Sequence, residues 1–480
     1  MSADISAKRV LLVNPNTEKA PYPVVPVGLC LTAASLLGRY EVRIWDGTFA
    51  GTDGLQELIR VFAPDFVGIG IRNIDDVTSG SARFYIDEIN RDFIPVIRSV
   101  SAAPVILGGA GFNLFPKRLL AEIDADFGVV GEGEQTLSSL LDALVNGRDP
   151  SKIASVVTRE TASQFTFDPS EDAALHLPFS TVDRFLDFSP YRARGSYPIQ
   201  TKRGCKLGCV YCSYPLIEGR SYRLRPPTTI VDEIEQAADR LGPVMFEFVD
   251  STFNAPLSHA EAICEEIIRR GLSVRLRSMG VNPGGITDRL LDLMRQAGFA
   301  QIVCSADTAD ERTLKAYCKG FTRKQLEAAA MTLCKHDMPT MWSFIFGGPS
   351  ETVETIESSF DFIECFVHPL DMVHMTEGIR IYPRTPIYDI AVQEGVISPN
   401  DELFRPVFYF SPALGAEALN ALMKEKSAAH PNCIRSSESG PGPERIARAA
   451  ALRQEHRLDE PMFRTLLRVR RTELGLSPFP

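Results

Sequence analysis

The stretch TKRGCKLGCVYCSYP at residues 201–215 contains three closely spaced cysteines, Cys205, Cys209 and Cys212. Cysteine thiolates hold iron–sulfur clusters, and a cubane cluster normally takes four. Three thiolates can hold three irons and leave the fourth open, and by analogy with zinc an open position marks a working metal site. A zinc ion is the alternative occupant of these cysteines, but zinc needs four protein ligands, usually in two separated pairs. No second pair follows in this sequence, so the spacing favours a cluster.

Composition places the chain among ordinary globular proteins of two or three domains. It has 480 residues, of which 44% are hydrophobic and 23% charged, and a formal net charge of -10. This acidic balance argues against an extended nucleic-acid surface. No stretch approaches the roughly 18 apolar residues of a membrane span, and the N-terminus lacks a signal-peptide pattern. The other seven cysteines are scattered singly, as expected for small buried residues of a cytoplasmic protein.

The first 150 residues alternate between strand-like and helix-like stretches. Such alternation predicts a parallel sheet, doubly wound in the flavodoxin or Rossmann manner, with ligands beyond the carboxyl ends of the strands. The predicted strands are 9–15, 42–46, 66–71, 104–109 and 127–134, and the predicted helices are 27–37, 55–62, 84–100, 116–123 and 134–144.

A second alternating series begins at residue 197. Its predicted strands are 197–204, 245–250, 273–278, 300–305, 340–348 and 372–378. The domains expected are therefore 1–150, a connector at 151–192, a core at 193–395 and a mostly helical region at 396–480. The basic stretch MFRTLLRVRRTEL near the C-terminus is interpreted as a helix packed on the core, and a membrane-surface helix is the alternative.

The cysteine spacing, with Tyr211 before the last cysteine, resembles the radical S-adenosylmethionine (radical SAM) superfamily. The runs EFVDSTFN (247–254), ADT (306–308), IFGGPSET (345–352) and YPRTPIYDIAVQEG (382–395) resemble that family's SAM-binding segments. The resemblance implies a partial (β/α)6 barrel, a 4Fe–4S cluster on the catalytic cysteines, and an external one-electron reductant such as flavodoxin or ferredoxin. It also implies SAM contacts, carried over onto Tyr211, Asp250, Ser251, Asp307, Thr308, Gly347 and Gly348.

A doubly wound domain before such a barrel resembles the cobalamin-dependent radical SAM class. The runs PVVPVGL (23–29), APDFVGIGIRNIDD (63–76), VILGGAGFN (105–113) and GVVGEGEQT (128–136) carry this resemblance. It implies a bound cobalamin, and the candidate contacts are Arg72, Asn73, Gly108, Gly109, Gly111, Gly131 and Glu132. The glycines would permit close approach to the cofactor's nucleotide tail. For Arg72, a salt bridge with Asp75 or Asp76 is the alternative.

The familiar D-x-H-x-x-G motif, whose histidine ligates cobalt, is absent. The first histidine of the chain is His176, so no N-terminal histidine can ligate cobalt. In this respect the chain resembles the tryptophan 2-C-methyltransferase type. A domain that no longer binds cobalamin is the alternative.

The resemblance implies methylation of a small molecule or natural-product intermediate, at carbon or at phosphorus. The main alternative keeps the same cofactors but performs ring contraction, cyclisation or oxygen insertion. A non-catalytic sensor and an RNA-modifying enzyme are less compatible with the motifs. No single general base stands out among the polar residues expected near strand ends or the cysteine loop, which are Tyr214, Glu218, Arg223, Asp250, Arg277, His374 and Arg380.

Overall fold

A computed structural model describes residues 8–20, 22–80, 82–160, 175 and 177–480. The chain divides into two compact units. Unit 1 contains residues 1–76, 83–198 and 214–219, and unit 2 contains residues 77–82, 199–213 and 220–480. Much of the predicted connector, together with His176, lies outside the described residues.

Unit 1 is built on a six-stranded sheet with the order β2-β1-β3-β4-β5-β6. Its first five strands are parallel, as the sequence predicts, and β6 adds an antiparallel edge. The order 2-1-3-4-5 is that of flavodoxin-like folds, in which the strand order reverses between β1 and β3. The strands are β1 Arg9–Asn14, β2 Glu41–Asp46, β3 Phe66–Gly70, β4 Val105–Gly108, β5 Phe127–Val129 and β6 Val156–Thr158.

The helices of unit 1 cover both faces of this sheet. Apolar residues at i, i+4 and i+7 give α3 a buried stripe of Leu55, Ile59 and Phe62. The helices are α1 Val27–Leu36, α2 Gly47–Ala50, α3 Leu55–Phe62, α4 Tyr85–Glu88, α5 Ile94–Val100, α6 Ala110–Leu114, α7 Pro116–Glu122, α8 Gly133–Val145, α9 Val182–Phe185, α10 Ser189–Arg192 and α11 Tyr214–Glu218.

The helix predicted at 84–100 is interrupted by a π-helical turn at Ile89–Phe93. Pro95 explains the interruption, because proline lacks an N–H and its ring clashes with the carbonyl four residues earlier. The strand predicted at 127–134 is also shorter than expected, since Gly133 already begins α8.

Unit 2 contains the barrel-like sheet, with the order β17-β14-β13-β12-β11-β10-β7. All six predicted strands are present, and β17 from the C-terminal region extends the sheet beside β14 in parallel. The strands are β7 Tyr197–Ile199, β10 Met245–Phe248, β11 Arg275–Val281, β12 Phe299–Asp307, β13 Thr340–Phe346, β14 Met372–Glu377 and β17 Cys433–Arg435. Two short antiparallel strand pairs complete the unit, β8 Lys202–Arg203 with β9 Arg223–Leu224 and β15 Ile379–Arg380 with β16 Phe408–Tyr409.

Helices cover the outer face of this sheet. Trp342 and Phe344 of β13 pack against Phe362 of α17, with ring centroids 5.7 and 6.4 Å apart. The helices are α12 Pro227–Leu241, α13 Leu257–Arg270, α14 Asp288–Ala297, α15 Glu311–Ala316, α16 Arg323–Lys335, α17 Val353–Phe366, α18 Pro386–Gln393, α19 Ala416–Ala429, α20 Pro443–His456 and α21 Met462–Glu473.

The basic C-terminal stretch packs on the sheet of unit 2, as the sequence predicts. It forms α21, which buries Arg464, Thr465, Leu467 and Val469. Arg464 contacts Asp371, the residue before β14, with a nitrogen–oxygen distance of 2.8 Å. No helix in the described part of the chain combines the length and apolarity needed to span a bilayer.

Candidate functional site

The three-cysteine loop lies between β8 and β9, which pair in antiparallel orientation at its two ends. The sequence predicts one strand at 197–204, but β7 ends at Ile199 and Lys202–Arg203 pairs instead with Arg223–Leu224. Residues 204–222 are therefore tied together at their base. Asp250 holds the entry to this loop, because its carboxylate accepts hydrogen bonds from the Thr201 and Lys202 N–H groups at 2.7 and 3.2 Å.

All ten cysteines are free thiols. Cys205 is buried, and Cys209 and Cys212 are half-buried. Among the described residues, no set of three or more His, Cys, Asp or Glu side chains is arranged to hold a single metal ion. A cluster differs because its own irons and sulfides span the distance between protein thiolates, so three thiols on one enclosed loop fit it.

A buried ion pair lies beside the cysteine loop. The Lys319 ammonium contacts the Asp307 carboxylate, and each side chain is only 5% exposed. The same ammonium lies 3.2 Å from the Tyr211 hydroxyl and 3.7 Å from the Cys209 sulfur. Tyr211 also donates a hydrogen bond to Asp307. Two predicted SAM contacts, Tyr211 and Asp307, thus meet at one point, joined by a lysine that the motif comparison missed.

Electrostatics in this group follow from burial and from the ion pair. Burial raises the pKa of the Cys209 thiol, and the nearby Lys319 ammonium opposes that rise. For Lys319, burial alone would lower the pKa, but the Asp307 carboxylate and Cys209 outweigh it and raise the pKa. Lys319 is therefore a permanent positive charge next to a cysteine sulfur.

The glycine pair of IFGGPSET lies against a tyrosine that the sequence analysis did not single out. A Cβ on Gly348 would lie 2.2 Å from the Tyr317 hydroxyl, so only glycine fits there. Glu351 is fully buried and accepts the N–H groups of Gly347 and Gly348. Burial raises the pKa of Glu351 to about 8. The loop is thus held from inside by its own glutamate.

Among the predicted SAM contacts, Ser251 has a side chain that is placed to bind a ligand. Its hydroxyl is buried and has no hydrogen-bond partner among the described residues. A buried polar group without a partner is costly and marks a place where a ligand can bind. In contrast, Thr308 lies near the Ser359 hydroxyl at 3.3 Å, and both Asp250 oxygens already accept hydrogen bonds.

The inner face of the sheet in unit 2 carries a polar row. Because Trp342 and Phe344 face the outer helices, Ser343 between them faces inward. Ser343 is in register with Ser305 of β12 on one side and with His374 of β14 on the other. None of the three side chains has a partner among the described residues. Burial lowers the pKa of His374, so its imidazole is neutral at pH 7.

Most other polar residues expected near the strand ends are already paired. Arg277 forms an ion pair with Glu247 at 2.5 Å, and Arg380 donates to the carbonyls of Ile381 and Leu403 at 2.6 and 2.8 Å. In contrast, the His374 nitrogens have no hydrogen-bond partner among the described residues.

In unit 1, a cleft lies at the carboxyl ends of β1 and β3, where the strand order of the sheet reverses. Its lining comprises Pro15, Asn16, Gly70, Ile71, Arg72, Asn73, Tyr85 and Ile89. Arg72 and Asn73, two of the predicted cobalamin contacts, are exposed there. Arg72 has no hydrogen bond or ion pair with any described residue, so the alternative salt bridge to Asp75 or Asp76 is not found.

Two glycines after β4 pack closely against the backbone that lines this cleft. Gly109 has a φ of +101°, and a Cβ there would lie 2.5 Å from the Ile71 carbonyl oxygen. A Cβ on Gly111 would lie 3.1 Å from the Asn73 carbonyl carbon. In the structure, Gly109 and Gly111 therefore allow close approach of the segment that carries Arg72. Further along, the N–H of Gly131 donates to Asn113 at 2.9 Å. Contact of Gly108, Gly109, Gly111, Gly131 and Glu132 with a nucleotide tail stays a prediction.

Comparison with known proteins identifies both units. Residues 13–141 match the B12 binding domain, and residues 199–363 match the radical SAM superfamily. The chain is 27% identical over 406 residues to an uncharacterized methyltransferase of Pyrococcus horikoshii, covering 81% of this chain and 84% of that protein. It is 28% identical over 419 residues to the tryptophan 2-C-methyltransferase of Streptomyces laurentii, covering 73% and 69%.

A solved structure has the same fold over nearly the whole length. It is the radical S-adenosylmethionine methyltransferase TsrM of Kitasatospora setae, with cobalamin and a 4Fe–4S cluster bound. The TM-score is 0.80 over 98% of this chain and 99% of that one, at 24% sequence identity. The chain therefore carries a B12-binding domain followed by a radical SAM domain, in the same fold as that structure.

Proposed function

We propose that this protein is a cobalamin-dependent radical SAM methyltransferase that acts on a small molecule or natural-product intermediate. The observation that carries the proposal is the presence, in one chain, of an intact three-cysteine loop and a histidine-free B12-binding domain. The methyltransferases among the relatives support the reaction class. An external one-electron reductant such as flavodoxin or ferredoxin would keep the cofactors active.

Cys205, Cys209 and Cys212 would hold the cluster, and the buried, unpaired hydroxyl of Ser251 would bind the methionine part of SAM. When bound, these cofactors supply one-electron chemistry at the cluster and methyl-group transfer at cobalt. The chain's own residues orient them and exclude water. Tyr211 is held edge-on against Tyr317, with ring centroids 6.1 Å apart, so its position is fixed for contact with adenine.

Cobalamin would bind at the cleft of unit 1 without a histidine below the cobalt. The matched residues 13–141 contain no histidine, and Arg72 offers an unpaired guanidinium there. A guanidinium remains protonated at any ordinary pH and has no lone pair for a metal. Arg72 can therefore face the ring and donate hydrogen bonds without becoming a ligand.

The substrate would bind to the inner face of the barrel in unit 2, against Ser305, Ser343 and His374. The neutral imidazole donates one hydrogen bond from its protonated nitrogen and accepts one at the other nitrogen, and each of the two hydroxyls can both donate and accept. This row suits an uncharged polar group such as a ring N–H or a hydroxyl.

A half-reaction that needs no substrate tests the proposal. Anaerobically reconstituted protein, loaded with hydroxocobalamin and reduced, should convert SAM to S-adenosylhomocysteine in about one equivalent per bound cobalt. Cobalt that is lost on desalting would instead support a domain that no longer binds cobalamin. Once a substrate is found, product mass separates the alternatives: a gain of one methyl group indicates methylation, and an isomer or oxidised product indicates rearrangement or oxygen insertion.

Ser251→Ala should weaken SAM binding about fivefold to tenfold, the value of roughly one hydrogen bond. Thermal stability should stay unchanged, because the hydroxyl has no protein partner to lose. Equilibrium dialysis with SAM and a thermal melt measure the two effects. Ser427→Ala is the matched control: this buried hydroxyl bonds Glu438 at 2.7 Å, so its loss should lower stability and leave SAM affinity unaltered. Equal SAM affinity in the two variants would show that Ser251 does not contact SAM.

Arg72→Ala should weaken cobalamin retention about tenfold, because a charge-assisted hydrogen bond contributes about 1.5 kcal/mol or more. Cobalt counts after desalting measure retention. Arg60→Ala is the control, since Arg60 is exposed at the end of α3, away from the β1–β3 cleft. In addition, the electron paramagnetic resonance spectrum of bound cob(II)alamin should lack splitting from an axial nitrogen. Nitrogen splitting would show that a nitrogen ligand occupies the axial position.

A further inference from the structure

We propose that Lys319 is a positioning residue that donates a hydrogen bond to the Cys209 thiolate and thereby raises the reduction potential of the cluster. The inference rests on the proposed function, because it takes Cys209 as a cluster ligand. Nothing in the three-cysteine motif points to this lysine, which lies 110 residues further along the chain.

The segment that carries Lys319 is fixed against the cysteine loop by its backbone. The Val210 N–H donates to the Tyr317 carbonyl at 3.2 Å, so the segment lies alongside the loop between two of the cysteines. Positive φ angles at Cys318 and Gly320, +54° and +71°, turn the chain on either side of Lys319. The lysine is thus presented to the sulfur by a tight turn.

Tyr317 fixes the other side of the same segment. Its ring is fully buried, and its hydroxyl donates to the Ile345 carbonyl at 3.1 Å and accepts the Gly348 N–H at 3.1 Å. Lys319 itself is 5% exposed. A lysine held in this way cannot swing into water, as a surface lysine would, so its charge stays 3.7 Å from the Cys209 sulfur.

The sign of the effect follows from charge. Reduction adds one electron to the cluster, and hydrogen bonds to the sulfurs help set its potential. A fixed ammonium stabilises the more negative, reduced form and raises the potential. The Asp307 carboxylate, paired with the same ammonium, acts in the opposite direction. The two partners of one ion pair should therefore shift the potential oppositely when each is neutralised.

Two neutralising variants and one control test this. The cluster potential is measured by redox titration of reconstituted protein without SAM, followed by electron paramagnetic resonance. Lys319→Met should lower the reduction equilibrium constant about tenfold, or about 59 mV for a one-electron couple, and Asp307→Asn should raise the potential. Lys315→Met, which removes an exposed lysine of α15 that pairs with Glu311, should leave the potential at the wild-type value.

Iron counts separate the possible failures. Wild-type protein that binds no iron overturns the proposed function and this inference together. A full iron count with unchanged potentials, or with both shifts in the same direction, overturns this inference alone. If the Lys319→Met variant binds no cluster, two other variants test the inference. The cluster potential should be close to wild type in Lys319→Arg and higher than wild type in Asp307→Asn.

Discussion

Replacing Cys209 with alanine is expected to abolish the iron–sulfur cluster. Anaerobically reconstituted wild-type protein should bind about four irons per chain, and the variant should bind almost none. Two thiolates remain on the loop, which is too few to hold a cubane against competing ligands in solution. Iron and sulfide counts with the absorbance spectrum measure the loss. Formation of S-adenosylhomocysteine or 5′-deoxyadenosine should fall to background in the same samples.

Cys365→Ala provides the matched control. Cys365 is exposed on α17, so its replacement should change neither the iron content nor the activity. Circular dichroism should show all three proteins folded. Retention of four irons and full activity by the Cys209 variant would contradict the assignment of this loop, and tightly bound zinc in wild-type protein would do the same.

Arg464→Met is expected to lower the free energy of unfolding of unit 2 by about 3–5 kcal/mol, measured by urea denaturation at pH 8. Arg464 is 8% exposed in its side chain and bonds Asp371, whose side chain is 4% exposed. Removing one partner of such a pair leaves a buried charge without compensation. Because the pair joins α21 to the sheet, the C-terminal helix should detach first.

The destabilisation should increase with pH. Burial raises the pKa of Asp371 to about 6, even though Arg464 and the Thr340 N–H lower it. In the folded state Asp371 therefore binds a proton more tightly than in the unfolded state, and its ionisation costs stability as pH rises through about 4 to 6. Without Arg464 this cost is larger. The variant should lose less stability at pH 5 than at pH 8, relative to wild type.

Arg445→Met is the control for charge and helix content. The Arg445 side chain is 41% exposed and pairs with Glu473, and such surface pairs contribute about 0–1 kcal/mol. Its loss should show little change at either pH. Equal destabilisation by the two substitutions would mean that Arg464 contributes by general charge and not by its buried pair.

Much of the fold follows from the sequence, for a clear physical reason. In a parallel sheet covered on both faces, strands are short apolar runs and helices are amphipathic, so the alternation is visible residue by residue. Strands such as Arg9–Asn14 and helices such as Leu55–Phe62 lie within a residue or two of the predicted ranges. Edge elements were missed, because Val156–Thr158 and Cys433–Arg435 are only three residues long.

The site was predictable only where chemistry is local. Three cysteines within eight residues form a pattern, and a histidine-free stretch can be read directly. Lys319 could not be found in this way, since a single lysine in a turn between helices has no periodicity and its contact with Cys209 spans 110 residues. The row of Ser305, Ser343 and His374 depends on strand register, which is set by packing of the whole sheet.

The row of Ser305, Ser343 and His374 bears on how new specificities arise. Each of its members comes from a different rigid strand, and none supports the backbone around it. Under the substrate-binding role proposed for this row, exchanging these side chains would change which substrate binds and leave the cysteine loop, the glycine pair and the histidine-free domain intact. Enzymes of this kind can therefore diverge in substrate specificity by a few substitutions while the cofactor-binding residues stay the same. Laboratory evolution toward other methyl acceptors should begin at these three positions.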